Sequence, residues 1–142
     1  MLIAVVDGQG GGIGHHIIQR IRESLSPDVE VLALGTNAVA TSRMLKAGAN
    51  NGASGENAIR LNSQRADVIV GTVSIVIAHS MMGELTPGMA EAISQSPALK
   101  ILIPLTKSPL EIVGLASEPL PHYTDMLIER LQDLLGGEAE GV

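Results

Sequence analysis

Residues 7–14 read D-G-Q-G-G-G-I-G, directly after the apolar run M-L-I-A-V-V at 1–6, and they hold five of the chain's 16 glycines. A short run that is apolar throughout and ends in Asp-Gly is the pattern of a strand buried on both faces of a parallel sheet. From Ile13 onward, Ile17, Ile18, Ile21 and Leu25 follow helical spacing until Ser26-Pro27 ends the helix. A strand, a bare loop and a helix in this order set the loop at the positive end of the helix, where backbone N–H groups can meet an anion. Glycines at such a turn let a phosphate approach the backbone and let helix and strand pack closely.

The same grammar recurs along the chain. Val29–Leu34 before Gly35, Asp67–Thr72 (D-V-I-V-G-T) and Leu99–Leu105 (L-K-I-L-I-P-L) read as three more strands. Pro104 cannot donate to a ladder, so the last of these is finishing there or lies near an edge. Helices are expected over about 38–47, 56–64 and 87–96, the last opened by Thr86 as N-cap and Pro87 as first helical residue. Leu110–Leu115 (L-E-I-V-G-L) offers a fifth strand, and Glu118–Pro121 an extended spacer before a final helix. That helix carries Met126, Leu127, Leu131, Leu134 and Leu135 on one stripe. The expected architecture is α/β: a single-domain Rossmann-like three-layer sandwich over residues 1–135, with a mostly parallel sheet of four to five strands and helices on both faces. Residues 136–142 are expected to form an acidic mobile tail.

Two helices fall between the second and third of these strands, whereas a parallel crossover returns once, right-handedly. The second is taken as the return leg, which leaves 38–47 as a lid across the C-terminal edge of the sheet. Ser54 then caps the second helix, and the N–H groups around Ser54, Gly55 and Asn57 face the glycine loop as a second anion nest.

Composition narrows the function classes. With 142 residues and no cysteine, the chain builds its core without disulfides, and thiolate metal sites and cysteine nucleophiles are excluded. A net charge of -6 argues against nucleic-acid binding, and a single tyrosine with no Phe or Trp removes base-stacking platforms. The first apolar run lacks a basic leader and is too short to span a bilayer, so the expectation is a cytoplasmic protein with no membrane partner. Only 17% of residues are charged against 45% hydrophobic, which points to a buried self-association surface, most simply a homodimer.

Spacing within the loop discriminates among ligands. The dinucleotide fingerprint G-x-G-x-x-G fails, because Ile13 stands three after Gly10 and His15 three after Gly12. The phosphate-loop pattern G-x-x-x-x-G-K-[ST] fails as well, since no Lys-Ser or Lys-Thr follows. What is present is G-x-x-x-G-I-G, formed by Gly8, Gly12, Ile13 and Gly14, and this is similar to the cofactor loop of short-chain dehydrogenases. That resemblance covers only this loop and the unit around it. It implies a nicotinamide cofactor, but the family's Tyr-x-x-x-Lys pair is missing, since Leu127 stands four after Tyr123. Where an acidic residue usually meets the ribose of NAD, the chain has Gly35-Thr36-Asn37. Thr36 and Asn37 can hold a ribose hydroxyl or phosphate oxygen, and Arg43 and Lys46 are near enough in sequence to meet a 2′-phosphate. NADP or another nucleotide is therefore favoured over NAD.

The candidate ligand-binding residues are Gly8, Gln9, Gly10, Gly11, Gly12, Ile13, Gly14, Thr36, Asn37, Ser54, Gly55, Asn57 and Thr72. The ligand expected on them is a phosphorylated small molecule. Taken together, V-V-D-G-Q-G-G-G-I-G, A-L-G-T-N-A-V-A-T-S-R-M-L-K-A-G-A, G-A-S-G-E-N-A-I, and G-E-L-T-P-x-M-A-E-A-I followed by K-I-L-I-P-L resemble a small bacterial family of unassigned function. The resemblance runs from Leu2 to about Pro121; it implies a Rossmann-like fold and no activity.

Other polar residues have simpler assignments. His15 and His16 are adjacent and face different sides of their helix, so they do not share a metal. His15 is either a surface residue or a contact to a phosphate at the helix start, and His79 sits in a loop after the third strand. Asp7 is expected to organise the glycine turn and Glu56 to occupy a first helical turn. Lys107-Ser108 either contacts an anion or opens a capping box with Glu111. Met81-Met82 fits a core or dimer contact better than a cofactor wall. Three readings remain: a nucleotide-binding sensor or accessory protein, a small NADP-dependent reductase, and a dimeric interaction module with a structural glycine loop.

Overall fold

In a computed structural model, which describes the backbone of residues 1–140 and the side chains of residues 1–136, the chain forms one five-stranded sheet, all parallel. The elements alternate: β1 (Leu2–Asp7), α1 (Gly12–Ser24), β2 (Glu30–Gly35), α2 (Ala38–Lys46), β3 (Asn51–Ser54), α3 (Glu56–Ser63), β4 (Val68–Thr72), α4 (Pro87–Gln95), β5 (Leu99–Ile103) and α5 (Leu120–Glu140). A short 3-10 turn, Val73–Val76, follows β4. The spatial order is β3-β2-β1-β4-β5. After β1 the chain moves outward through β2 to β3, then returns across the sheet through α3 to β4 and β5, which is a doubly wound arrangement.

Both faces of the central strands are apolar because both are covered. On one face Ile3 and Val5 of β1 meet Ile17, Ile18 and Ile21 of α1, Met44 of α2, and Leu127, Ile128 and Leu131 of α5. On the other, Ala4 and Val6 meet Ile59 of α3, Met89 and Ile93 of α4, and Ile75 and Leu85 of the segment between β4 and α4. Continuous apolar strands are what a sheet sandwiched between two helical layers requires.

The expected lid is absent. Residues 51–54, taken from sequence as a loop, form the edge strand β3, paired with β2 from Leu32↔Asn51 to Gly35↔Ser54. With a strand between them, α2 and α3 are each a crossover, and α2 packs beside α1 on one face of the sheet. Asn and Gly are poor strand formers; the segment pairs because β2 presents an open edge and because Gly52 lets Thr41 and Leu45 of α2 approach, an added Cβ there lying 2.8 Å from Thr41 Cγ2. Leu110–Leu115 is not a strand, and β5 is the outer edge on that side, with the last ladder pair at Thr72↔Ile103 just before Pro104.

Further details differ from expectation. Gly55, not Ser54, is the N-cap of α3; the Ser54 hydroxyl donates instead to Thr41 Oγ1 at 2.7 Å. Ser108 opens no helix. Met126 is 62% exposed, off the buried stripe of α5, while Tyr123 and Ile128 join it. Of the tail expected over 136–142, residues 136–140 continue the backbone of α5, and 141–142 lie outside the described residues. Thr86 caps α4 as expected, its hydroxyl accepting from Met89 N–H at 3.1 Å.

Candidate functional site

The β1–α1 turn is built around one carboxylate. Asp7, the last residue of β1 and 8% exposed, accepts from Gly8 N–H through Oδ1 at 2.8 Å and from Gly14 N–H through Oδ2 at 2.7 Å. Burial pushes the Asp7 pKa above the ordinary 3.8, against the lowering effect of those two N–H groups. Asp7 thus organises the glycine turn, as expected from sequence. Gly11 closes it in the left-handed region at φ 73°, donating to Gly8 C=O at 2.9 Å. Gly14 lets α1 settle on its neighbours, an added Cβ lying 2.5 Å from Met44 Sδ.

These internal bonds leave three loop N–H groups over. Among the described residues, those of Gly10, Gly12 and Ile13 have no acceptor, and Gly12 and Ile13 are the first two residues of α1. The Arg43 guanidinium stands beside them, its Nη1 3.5 Å from Gly10 C=O. The positive end of α1 is therefore open to an anion while the rest of the turn is satisfied internally.

Beside this turn lies a cleft of about 470 Å³, lined by Asp7, Gly8, Gln9 and Ile13 on one side. Thr72 at the end of β4, Ser74 in the 3-10 turn, Met81 and Met82, and Leu105 to Ser108 after β5 complete it. It sits outside the C-terminal ends of β1 and β4, where the chain turns in opposite directions from two adjacent strands. This switch point is the expected ligand position in an open α/β sheet. Thr72 lines the cleft, and its hydroxyl makes no hydrogen bond among the described residues. Its neighbours are engaged: the Ser74 hydroxyl donates to Thr106 Oγ1 at 2.7 Å, and Thr106 Oγ1 also accepts from Ser108 N–H at 3.1 Å.

On the far side of the glycine turn the arrangement is different. Thr36 and Asn37 follow β2, and both are turned toward Glu84, which belongs to the loop between the 3-10 turn and α4. Glu84 Oε1 accepts from Thr36 Oγ1 at 2.7 Å, from Asn37 Nδ2 at 2.8 Å and from Gln9 N–H at 2.8 Å. These donors hold the Glu84 carboxyl below its ordinary pKa. Met81 lies against Gly8 between Glu84 and the cleft, so that an added Cβ on Gly8 would stand 2.6 Å from Met81 Sδ and 2.5 Å from Thr36 Oγ1.

The residues proposed from sequence thus fall into three places. Gly8, Gln9, Ile13 and Thr72 line the cleft, whereas Gly10, Gly11, Gly12 and Gly14 belong to the same turn without lining it. Thr36 and Asn37 meet Gln9 around Glu84. Ser54, Gly55 and Asn57 do not line the cleft: Ser54 bonds to Thr41, Asn57 is exposed, and the first turn of α3 sends Glu56 to accept from the Thr86 hydroxyl beside Gly88. Residues not anticipated are Ser74, Leu105 and Thr106, which only the strand order brings to the switch point. Met81 and Met82 are cleft walls after all.

Among histidines, His15 joins Ser42, Arg43 and Lys46 in a separate groove between α1 and α2, and His16 pairs with Thr124 Oγ1 at 3.0 Å. Tyr123 holds the 116–118 segment, donating to Ala116 C=O at 2.8 Å and accepting from Glu118 N–H at 3.2 Å. Among the described residues, no three His, Asp or Glu side chains gather to hold a metal, and no helix is long and apolar enough to cross a membrane.

A family model described as a domain of unknown function, DUF3842, matches residues 2–136, nearly the whole chain. The chain belongs to this family. The DUF3842 chain thereby has relatives over the whole sheet and both helical layers, and the cleft lies entirely inside the matched region. No curated protein and no solved structure matches it significantly.

Proposed function

We propose that this DUF3842 protein binds a small phosphorylated molecule, a nucleotide foremost, in the cleft at the C-terminal edge of the sheet, in a sensor or accessory role. The observation that carries this reading is the meeting, at the switch point, of unpartnered N–H groups at the start of α1 with the Thr72 side chain, which lines the cleft and makes no hydrogen bond among the described residues. A phosphate at Gly12 and Ile13 would gain the helix dipole and the Arg43 charge, while the rest of the ligand lies against Ile13, Leu105 and Met81. The lack of cysteine suits a reducing compartment such as the cytoplasm.

Titration calorimetry with NADP, NAD, ATP, FMN and coenzyme A tests the reading. At least one should bind the wild type, and Gly12→Asp should abolish that binding. Gly12 is exposed and has open space apart from Arg43 Nη1, 3.4 Å from an added Cβ. An acid at the first helical position favours the helix, so loss of binding in that variant is not loss of fold. Failure of all five ligands would overturn the reading.

A second reading, self-association, has its own observation. Around the open edge of β5 stand Leu99, Leu110, Ile112, Val113, Leu115 and Met126, each 44–98% exposed. Their apolar surface, on the order of 600 Å², stands at the upper end of the ~300–600 Å² found for the largest patch of a monomer and approaches the ~800 Å² per partner of a stable dimer. The occupant proposed is a second copy of this chain. Light scattering after size exclusion should give a dimer mass that Val113→Asp reduces to a monomer; a monomeric wild type refutes it.

A further inference from the structure

Glu84 makes more contacts than a loop anchor needs. Its Oε1 takes three donors at 2.7–2.8 Å, while Oε2 takes none among the described residues. Two of the donors, Thr36 and Asn37, stand at the end of β2, where a doubly wound fold ordinarily meets the polar part of a nucleotide. The third is an N–H of the glycine turn itself. Three convergent donors on one oxygen form a receptor for any carboxylate or phosphate oxygen, independent of which molecule carries it.

The loop that delivers Glu84 is held away from relaxed geometry. His79, Met81 and Met82 all have positive φ, at 68°, 58° and 57°, and Gly83 follows at 90°. Non-glycine residues in this region are strained, and strain gathered in one segment marks a conformation imposed by its surroundings. Met82 is 93% exposed, so burial does not hold it there. The segment is tied through Glu84, through His79 N–H to Leu85 C=O at 2.7 Å, and through the Ser80 hydroxyl to Ser74 C=O at 2.6 Å. The same segment supplies Met81 and Met82 to the cleft wall.

We propose that Gln9 N–H, Thr36 Oγ1 and Asn37 Nδ2 form an oxyanion subsite, that Glu84 is its internal occupant, and that a carboxylate or phosphate group of the incoming ligand takes the place of Glu84. The proposal rests on the reading that this edge of the sheet binds a phosphorylated ligand. It adds that the site is closed in the free protein and that the ligand reaches from the cleft across Gly8 to Thr36 and Asn37. Apparent affinity is then reduced by the fraction of time the subsite is open.

The test is Glu84→Gln, which keeps the side-chain length and an amide oxygen but removes the charge that competes. Wild type and variant are titrated calorimetrically with NADP and inorganic pyrophosphate as phosphate probes and citrate as a carboxylate probe. The expected result is tighter binding by Glu84→Gln, by about tenfold or more if the wild-type subsite is open no more than a tenth of the time. Adding Thr36→Val to Glu84→Gln should reverse the gain. If phosphate probes bind both proteins equally, or the variant more weakly, Glu84 is a tether and the subsite proposal fails while the cleft reading stands. If only citrate binds, and more tightly to the variant, the subsite stands and the phosphorylated ligand is refuted. No binding by either protein overturns both. Should Glu84→Gln fail to fold, 13C-glutamate labelling of the wild type replaces it. The Glu84 Cδ resonance should move on addition of the probe that binds, and an unmoved resonance under saturating probe refutes displacement.

Discussion

Replacing Gly11 with alanine should cost far more stability than replacing its neighbour Gly10, although both lie in the same glycine run. Gly11 sits at φ 73°, and an added Cβ would stand 2.8 Å from Ala40 Cα and 2.9 Å from Ala40 C=O, backbone atoms of α2 that cannot swing aside. The left-handed conformation costs an L-residue about 1–2 kcal/mol, and forcing α1 and α2 apart adds about 1–3 kcal/mol. The expected loss is about 2–5 kcal/mol. At Gly10 an added Cβ meets nothing within 4 Å and φ is not positive, so the change should stay within about 0.5 kcal/mol. Urea unfolding of the three proteins measures the difference directly. For a chain of this size, thermal melts should place Gly11→Ala on the order of 10 °C below the wild type, with Gly10→Ala alongside it. If Gly11→Ala melts within about 2 °C of the wild type, or Gly10→Ala is as damaged, the turn is not built as described.

Removing the carboxylate in Asp7→Ala leaves the buried N–H groups of Gly8 and Gly14 unpaired and should cost about 2–5 kcal/mol in urea unfolding. Because burial raises the Asp7 pKa, the folded protein holds its proton more tightly. Stability should therefore fall as pH rises from 3.8 through the raised folded pKa, and Asp7→Asn should remove that slope in pH-dependent melts. Glu84 acts in the opposite sense: its lowered pKa gives stability present above 4.5 and lost as pH falls through the folded value, a limb that Glu84→Gln should lack. Thr72→Val should leave the melting temperature within about 2 °C, since the hydroxyl has no internal partner, yet weaken the ligand about fivefold to tenfold by calorimetry. Unchanged affinity would remove Thr72 from the site.

The alternation of strands and helices was legible because each central strand is apolar on both faces and the helices between them carry helical apolar spacing, with Thr86-Pro87 the plainest start signal. Asn51–Ser54 was not, since its four residues carry one apolar side chain and pair only because β2 needs an edge partner. Missing that strand made α2 look like a lid. Within the site, glycine spacing located the turn and Thr36-Asn37 marked the end of β2, both from local sequence. Glu84 approaches the turn from about 75 positions away, and Thr106 joins Ser74 across 32. Such pairs exist only once the strand order is set, and nothing local in G-E-L-T-P announces that its carboxylate reaches Gln9. The five glycines, read at first as room for a phosphate, divide their work. Gly8, Gly11 and Gly14 make room for the protein's own atoms, and Gly10 and Gly12 remain open.

Where a phosphorylated ligand lands on this sheet decides whether the switch point is a binding site. Amide 15N–1H spectra of the wild-type protein, titrated with the tightest-binding of the five nucleotides, report this residue by residue. The largest shifts should fall on Gly10, Gly12, Ile13 and Thr72, with smaller ones at Arg43 and Lys107. Shifts confined to the groove of His15, Ser42 and Lys46, or none at saturating nucleotide, would contradict a ligand site at the switch point.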